Sequence, residues 1–296
     1  ANTEIDILHP GTWSGQASTS WTDSNNWLCG AVPTGTTDVT IPADMPYYPE
    51  LNSGTGSVRD LTVETGATFT VAADATLQIA GSISNAGTIS AAGATIEMNG
   101  TGAQVIPAAA FSGNTLEGLT IDNTAGVTLQ GALALTGVLT VSAGSLNTGG
   151  YLTLKSTATG TARVAEITSA ASTPIDGSVM VERYIPGRRR YRLITSSVTT
   201  SPSASLNTGE EAESIWGNWQ NQGDNVTGGV GTIITGGTGA DGFDPQTGNP
   251  SLFTYDAVNR VYVPFSSANG KNTKYTPLKA GVAYYMFVYG DRVNSV

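Results

Sequence analysis

Short apolar triplets recur through the first half of the chain from Val58 onwards, and polar stretches rich in Gly, Asn, Ser and Ala separate them. The triplets begin at Leu61, Leu77, Ile96, Leu119, Leu139 and Leu152. Their spacing is roughly 20 residues, and no segment has the length and period of an amphipathic helix. A loose repeat of short strands and tight turns predicts a solenoid.

The repeat favours an all-β fold built on a right-handed parallel β-helix with three strands in each coil. Inward residues of such a coil are apolar because they are buried, and Gly and Asn suit its corners because they adopt left-handed conformations. A β-sandwich is the alternative, since its strands also recur regularly. However, hairpin signals are rare, and the Lys and Arg that usually guard sheet edges are absent between Arg59 and Lys155.

The segment 11–42, ahead of the repeat, holds three of the five tryptophans and the single cysteine. A solenoid end exposes apolar core and unpaired backbone. We therefore expect Trp13, Trp21 and Trp27 to cap the first coil, with indole N–H groups and neighbouring asparagine amides binding the open backbone groups. The alternative is a carbohydrate-binding platform of three stacked tryptophan faces. Cys29 is interpreted as a small buried residue.

Charged and aromatic residues return near residue 175, and nine of the eleven tyrosines follow residue 150. Alternating stretches between Gly and Pro turns then predict an antiparallel β-sandwich or jelly roll. We divide the chain into a strand and cap segment at 1–57, the β-helix at 58–174 and the sandwich-like domain at 175–296. We expect that last domain to be truncated in this chain.

The net charge of −10 and the isoelectric point of about 4.4 argue against binding to nucleic acid or to anionic membrane surfaces. No apolar run approaches the ~20 residues of a transmembrane helix, so membrane insertion is not expected. One histidine, His9, and one cysteine exclude zinc and copper sites of the usual kind.

Catalysis is not expected on the solenoid. Between Asp60 and Leu154 no Lys, Arg or His is present to act as the base of a polysaccharide lyase. A glycoside hydrolase needs two carboxylates facing each other. Stacking of coils could place Glu97 beside Glu117 or Asp122, but nothing in the sequence favours that arrangement. We therefore interpret the protein as a non-enzyme.

A run of arginines at Arg188, Arg189 and Arg190 is the strongest basic cluster of this acidic chain. It is a candidate docking site for an acidic glycan or a partner protein. The structural alternative is that these side chains pair with nearby carboxylates or cover apolar surface with their stems.

A Gly-rich loop contains Asp241 and Asp244, and oxygen-rich loops of this kind can hold calcium. The loop lacks EF-hand spacing, and Asx turns are the alternative use of both aspartates. No other cofactor is expected.

The N-terminal arm alternates Ile5 and Ile7 with polar residues, as a strand does. One hypothesis is that this arm adds as an extra strand to a sheet edge of the next molecule, which would build a filament. The alternative is that the arm pairs with its own β-helix.

Two stretches resemble known families. "GTWSGQASTSWTDSNNWLCGAVPTGTTDVTIP" is similar to the opening of many large secreted β-helical proteins. "GSVMVERYIPGRRRYRLITSSV", "GTIITGGTGADGFDPQTGNPSLFTYD" and "GVAYYMFVYGDR" together resemble a module of Bacteroidota cell-surface proteins exported by type IX secretion. The resemblance implies a large, extracellular, adhesive surface protein without assigned catalytic residues. The C-terminal sorting domain of such proteins has no counterpart after "YGDRVNSV".

These observations together predict a non-catalytic, extracellular structural or adhesive protein of the cell surface, with a place in a larger surface protein or filament as one form of this hypothesis. Its expected partners are other surface proteins, copies of itself or an extracellular glycan. The alternative is a carbohydrate-binding module of a secreted polysaccharide-degrading protein, for which the tryptophans are the motivation.

Overall fold

A computed structural model describes residues 9–200, 214–220 and 231–289. The chain divides into two compact units, Ala1–Tyr184 and Ile185–Val296. The first is a parallel β-solenoid of about six turns, and the second contains a separate antiparallel sheet. The predicted fold class is therefore confirmed.

The solenoid consists of short strands joined by tight corners. In chain order they are β1 (Val39–Ile41), β2 (Glu50–Leu51), β3 (Gly54–Val58), β4 (Leu61–Val63), β5 (Thr68–Val71), β6 (Ala75–Ile79), β7 (Ile83–Asn85), β8 (Thr88–Ser90), β9 (Thr95–Met98), β10 (Gln104–Ile106), β11 (Thr115–Leu129), β12 (Leu133–Asn147), β13 (Leu152–Leu154), β14 (Arg163–Val164), β15 (Ile175–Asp176) and β16 (Val179–Val181). All six apolar triplets lie in these strands, as the repeat predicts.

The strands stack in parallel into three sheets. One has the order β1-β4-β7, the second β2-β5-β8, and the third β16-β13-β12-β11-β9-β6-β3, with β10 on β11 and with β14 and β15 on β12. The first three turns therefore contain three strands each, as expected of a β-helix. Short 3₁₀ helices at Ser24–Asn26, Leu28–Gly30 and Ser112–Asn114 complete this unit.

Aliphatic ladders fill the interior of the solenoid. Leu77 pairs with Ile96, Ile96 with Leu119, and Leu119 with Leu139 in adjacent strands. All four side chains are fully buried. Because strand residues alternate between faces, every second position of each coil enters this core. Burial of one such side chain contributes about 1.5–3 kcal/mol.

The corners use left-handed backbone, as predicted for Gly and Asn. Gly144 has a φ of +66°, and a Cβ on it would lie 1.7 Å from the carbonyl oxygen of Asn123 in the previous turn. Only glycine fits so close an approach. Asp74 and Asn114 also have positive φ, where a short polar side chain is tolerated.

The solenoid extends beyond the range 58–174 expected from sequence. It begins at β1, and its last turn includes β15 and β16, which pair with β12 and β13. The division between units therefore falls after Tyr184. The sequence of a short strand such as β15 or β16 does not show whether the strand completes a coil or begins a new domain. The boundary expected near residue 175 from the change in composition therefore lies ahead of the division after Tyr184.

The second unit contains a four-stranded antiparallel sheet with the order β17-β20-β18-β19. Its elements are β17 (Arg190–Thr195), a short helix α1 (Ile215–Asn218), a 3₁₀ helix at Gly239–Asp241, β18 (Leu252–Asp256), β19 (Val261–Pro264), a 3₁₀ helix at Ser267–Asn269 and β20 (Ala283–Val288). One face of the sheet packs on a core that includes Ile215, Phe243 and Phe265.

Candidate interaction surface

The three tryptophans of the N-terminal segment form a buried cluster. The Trp27 ring meets Trp13 and Trp21 edge to face, with centroid distances of 4.9 Å and 4.7 Å. None of the three side chains is more than 2% exposed. They belong to the same hydrophobic core as the solenoid coils.

The backbone of this segment covers the outer edge of the first coil. Trp13 N donates to Thr40 O at 2.9 Å, and Trp21 N donates to Glu50 O at 3.0 Å. Thr40 N and Glu50 N in turn donate to carbonyl groups of the segment. Strands β1 and β2 therefore have partners on both sides, and the predicted cap is confirmed.

Asn26 anchors the cap from inside. Its Oδ1 accepts hydrogen bonds from the backbone N–H groups of Ala17 and Ser18, both at 2.9 Å. Its Nδ2 donates to Ser18 Oγ and Ser20 O at 3.0 Å. This side chain is fully buried, so it satisfies loop groups that water cannot reach. The expectation that asparagine amides serve the cap holds for Asn26.

The sugar-platform interpretation of Trp13, Trp21 and Trp27 is wrong, because their ring faces are covered by one another and by the core. Two of the indole N–H groups are also engaged, Trp13 Nε1 with Tyr47 O and Trp27 Nε1 with Trp21 O. The interpretation of Cys29 as a buried residue is wrong too. Cys29 is exposed and has a φ of +69° in a tight turn.

The solenoid carboxylates do not form the pairs considered from sequence. Glu97 lies opposite Thr120 in the neighbouring strand and accepts a hydrogen bond from Gln78 Nε2 at 3.1 Å. Asp122 accepts one from Ser142 Oγ at 3.2 Å. Glu117 instead lines a shallow groove. The side chains around that groove are Asp74, Thr95, Glu117, Thr120, Val138 and Thr140.

Asp244, one of the two aspartates proposed for calcium, is buried at 4% exposure. Its Oδ2 accepts hydrogen bonds from Ile234 N at 2.8 Å and from Gln220 Nε2 at 2.9 Å. These contacts give the carboxylate a structural role in joining three segments of the second unit.

Asp241, the other candidate, accepts hydrogen bonds from Thr238 Oγ1 at 2.8 Å and from Asn272 Nδ2 at 3.4 Å. Hydrogen bonds from Ser267 and then Thr238 lower the pKa of this carboxyl group. Within the described ranges, no three His, Cys, Asp or Glu side chains are grouped so as to hold a metal ion. Both aspartates thus act as acceptors for protein donors.

The arginine run precedes and enters β17, and all three side chains are exposed. Arg190 is the first residue of the strand and lies opposite Val288. The guanidinium carbon of Arg189 lies 5.5 Å from the centroid of the Tyr289 ring, a cation–π distance. The proposed docking residues Ile5 and Ile7 lie outside the described residues.

The face of the four-stranded sheet opposite its core is covered with aromatic side chains, which we call the aromatic face. Its members are Tyr191, Phe253, Tyr255, Tyr262, Tyr285 and Phe287. Tyr191, Tyr255 and Tyr262 are each 45–51% exposed. Contiguous exposed patches of this kind typically mark interaction sites.

The rings of the aromatic face form a continuous row across the four strands. Tyr191 and Tyr285 stack at 4.5 Å with their planes 7° apart. Tyr285 contacts Tyr262 at 4.8 Å, and Tyr262 contacts Tyr255 at 5.3 Å. Because each ring contacts a neighbour on another strand, the row presents a preordered aromatic surface.

The aromatic face was not predicted from the sequence. In β20, Tyr284, Met286 and Val288 enter the core, while Tyr285 and Phe287 lie on the opposite side. A strand that is apolar on both faces is the available signal, since a half-exposed antiparallel strand normally alternates apolar with polar residues. The signal is not specific, because a fully buried strand has the same pattern.

Comparison with known proteins gives one match. A family model described as a domain of unknown function (DUF8693) matches residues 12–99, less than a third of the chain. The matched segment runs from the cap through β9, that is, through the first three turns. No curated protein and no solved structure matches the chain. Among the described residues, no helix has the length and apolar character needed to cross a membrane.

Proposed function

We propose that the protein is a non-catalytic, extracellular surface protein with a structural or adhesive role, and that the aromatic face is its contact surface. The observation that carries the proposal is the continuous row of half-exposed tyrosines on a sheet whose other face packs on the core of the second unit. Tyr, Phe and Arg are enriched at protein interfaces. Arg189 lies at the end of this surface, at a cation–π distance from Tyr289, whose ring contacts Phe287.

The solenoid supports this role as a spacer. Aliphatic ladders in its core and hydrogen bonds at its corners stabilise each turn against the neighbouring turns. Such a stack can hold two surfaces apart without binding a ligand itself. Glu97 and Asp122 bind neighbouring side chains, which favours a structural use of both carboxylates. The extracellular location, type IX export and a Bacteroidota source rest on the sequence resemblance and remain part of the proposal.

A carbohydrate-binding module is the second candidate, and the exposed tyrosines favour it. A pyranose ring presents C–H groups that pack on an aromatic face, and tyrosine hydroxyls can bind sugar hydroxyls at the rim. The buried tryptophans no longer support this function, so it depends on Tyr255 and Tyr262.

The test is binding of the immobilised full chain to neutral and acidic polysaccharides and to collagen and fibronectin. The variant Tyr255→Ser/Tyr262→Ser should weaken any binding at least about tenfold. The matched control is Tyr47→Ser/Tyr151→Ser, at two equally exposed tyrosines of the solenoid. Equal loss in both variants, or no loss in either, would contradict the proposal. Binding confined to polysaccharides would favour the second candidate.

A further inference from the structure

Among the described residues, strand β17 is an open edge of the antiparallel sheet. The strand order places β17 at one edge and β19 at the other, and in the described part of the chain β17 pairs only with β20. The two edges differ in their ability to accept another strand. β19 has four residues and ends at Pro264, which lacks an N–H, whereas β17 has six residues without proline. β17 is therefore the edge better suited to pairing.

The side chains of β17 alternate in chemistry. Tyr191 and Leu193 lie on the same side as the aromatic face and are 45% and 70% exposed. Arg190 and Arg192 alternate with them and lie on the other side, opposite Val288 and Met286 of β20. A leucine this exposed on an edge strand gains contact area if another strand is added beside it.

The two arginines select what can pair with this edge. A second β17 would bring like charges together, so the arginines disfavour edge-to-edge pairing of identical strands. An incoming strand with acidic residues two positions apart would instead pair with both. An arginine side chain carries five N–H donors, and Arg192 Nη2 donates to Pro186 O at 3.2 Å, so further donors remain for an incoming carboxylate.

The N-terminal arm has the complementary sequence. Glu4 and Asp6 alternate with Ile5 and Ile7, and no other stretch of the chain alternates two acidic residues with two isoleucines in this way. These residues lie outside the described ones, so the comparison uses their sequence alone. Glu4 and Asp6 are two positions apart, and so are Arg190 and Arg192. The match therefore holds for either direction of pairing.

We propose that β17 of one copy receives residues 2–8 of a second copy as a fifth strand. Glu4 and Asp6 then lie beside Arg190 and Arg192, while Ile5 and Ile7 extend the apolar row of Tyr191 and Leu193. Main-chain hydrogen bonds supply affinity, and the alternation fixes the register. The arm and the edge are different surfaces, so the contact is head to tail, and repetition gives an open filament.

This inference goes beyond the proposed function and does not depend on it. The self-association contact uses the edge of β17, whereas the ligand-binding test concerns Tyr255 and Tyr262 on β18 and β19, at the other end of the aromatic face. Arm and edge variants should therefore leave polysaccharide or matrix-protein binding per chain unchanged. The Tyr255→Ser/Tyr262→Ser variant should leave self-association unchanged.

The experiment is a charge exchange in the full chain, read by sedimentation velocity over a range of concentrations. The wild type should form larger species as concentration rises. Variant A, Glu4→Arg/Asp6→Arg, has a basic arm and a basic edge, and variant B, Arg190→Glu/Arg192→Glu, has an acidic arm and an acidic edge. Each alone should self-associate at least about tenfold more weakly than the wild type. An equal mixture of A and B should recover association, because each arm then meets an edge of opposite charge.

The control is Arg163→Glu/Arg183→Glu, which makes the same change in net charge as variant B at two exposed arginines of the solenoid unit. It should associate as the wild type does. Thermal unfolding by circular dichroism checks that A and B remain folded. A monomeric wild type, a mixture that stays monomeric, or variants that assemble alone would each overturn the proposal. If the wild type is monomeric and its N-terminal arm is nevertheless protected from proteolysis, the arm pairs within its own chain instead.

Discussion

The Trp21 indole stacks on the Phe69 ring, with the centroids 4.7 Å apart and the planes at 20°. Trp21 belongs to the N-terminal cap, and Phe69 lies in β5 of the second turn. The cap therefore reaches past the first coil and shares its core with the coils behind it. This relationship explains why the tryptophans are concentrated at the start of the chain, where a solenoid has no preceding turn to cover its interior.

Replacement of Trp27 tests the cap. Trp27→Ala removes a ring that contacts both Trp13 and Trp21, and it leaves Trp21 O without its indole donor. We expect the free energy of unfolding of the solenoid unit to fall by about 3–5 kcal/mol, as for other buried tryptophans. Urea unfolding measures the change. Tyr151→Ala, at an exposed ring of the same unit, should cost far less, and equal losses would argue against the cap.

A buried amide pair fixes one corner of the solenoid. Gln104 Nε2 donates to Ile79 O and Gly81 O, both at 2.8 Å, and its Oε1 accepts from Gly100 N at 2.8 Å and Asn123 Nδ2 at 2.7 Å. Gln104→Leu leaves these groups without their hydrogen-bond partner. We expect the free energy of unfolding to fall by about 1–3 kcal/mol for each group that water cannot reach.

The matched control for this change is Gln130→Leu, at an exposed position of the same unit, where a shift within about 0.5 kcal/mol is expected. Urea unfolding of both variants gives the comparison. If Gln104→Leu were as mild as Gln130→Leu, water would have to enter the corner, and the amide pair would not be needed to hold it.

Much of the solenoid could be predicted from sequence because its signal is local and repeated. Leu61, Leu77 and Ile96 each begin an apolar triplet, and each triplet is a strand in the structure. The corner at Asn99 and Gly100 shows the limit of this approach. Asn-Gly there has the sequence of a hairpin turn. The chain instead continues into β10, which pairs in parallel with β11, and Gln104, four residues away, accepts a hydrogen bond from Gly100 N.

The interaction surface could not be predicted in the same way, because it depends on which strands become neighbours. Tyr191 and Tyr285 are distant in sequence and stack only because β17 pairs with β20. Tyr255 and Tyr262 are close in sequence, but their exposure depends on the face that the core leaves uncovered. The three tryptophans, by contrast, could be identified from sequence as candidates for either a cap or a sugar platform. Their burial in the structure distinguishes between the two.

The groove on the solenoid provides a test of the proposed lack of catalysis. Asp74 and Glu117 both line it, an arrangement that sequence analysis did not identify. We expect no release of reducing ends or unsaturated sugar ends from pectin, alginate or xylan at any pH, with or without calcium. Any turnover would have to be lost in Asp74→Asn/Glu117→Gln and kept in Glu97→Gln before the groove could be assigned as an active site.

The pH dependence of the second unit tests the packing of its sheet. Tyr284 is 4% exposed, and burial raises the pKa of its hydroxyl above the ordinary value of 10.0. The unfolded chain therefore ionises this tyrosine at lower pH than the folded chain does. Its contribution to stability is complete below pH 10.0 and is lost as the pH rises through the folded-state pKa.

Tyr284→Phe keeps the ring that meets Trp219 edge to face at 5.1 Å but removes the ionisable hydroxyl. Urea unfolding of the second unit, measured below and above pH 10.0, should show a smaller alkaline loss of stability in this variant than in the wild type. Tyr275→Phe, at a tyrosine that is 53% exposed, is the matched control and should retain the wild-type alkaline loss. If Tyr284→Phe lost stability as steeply as the wild type, tyrosinate at this position would be solvated, and the face of β20 that carries it would not be closed to water.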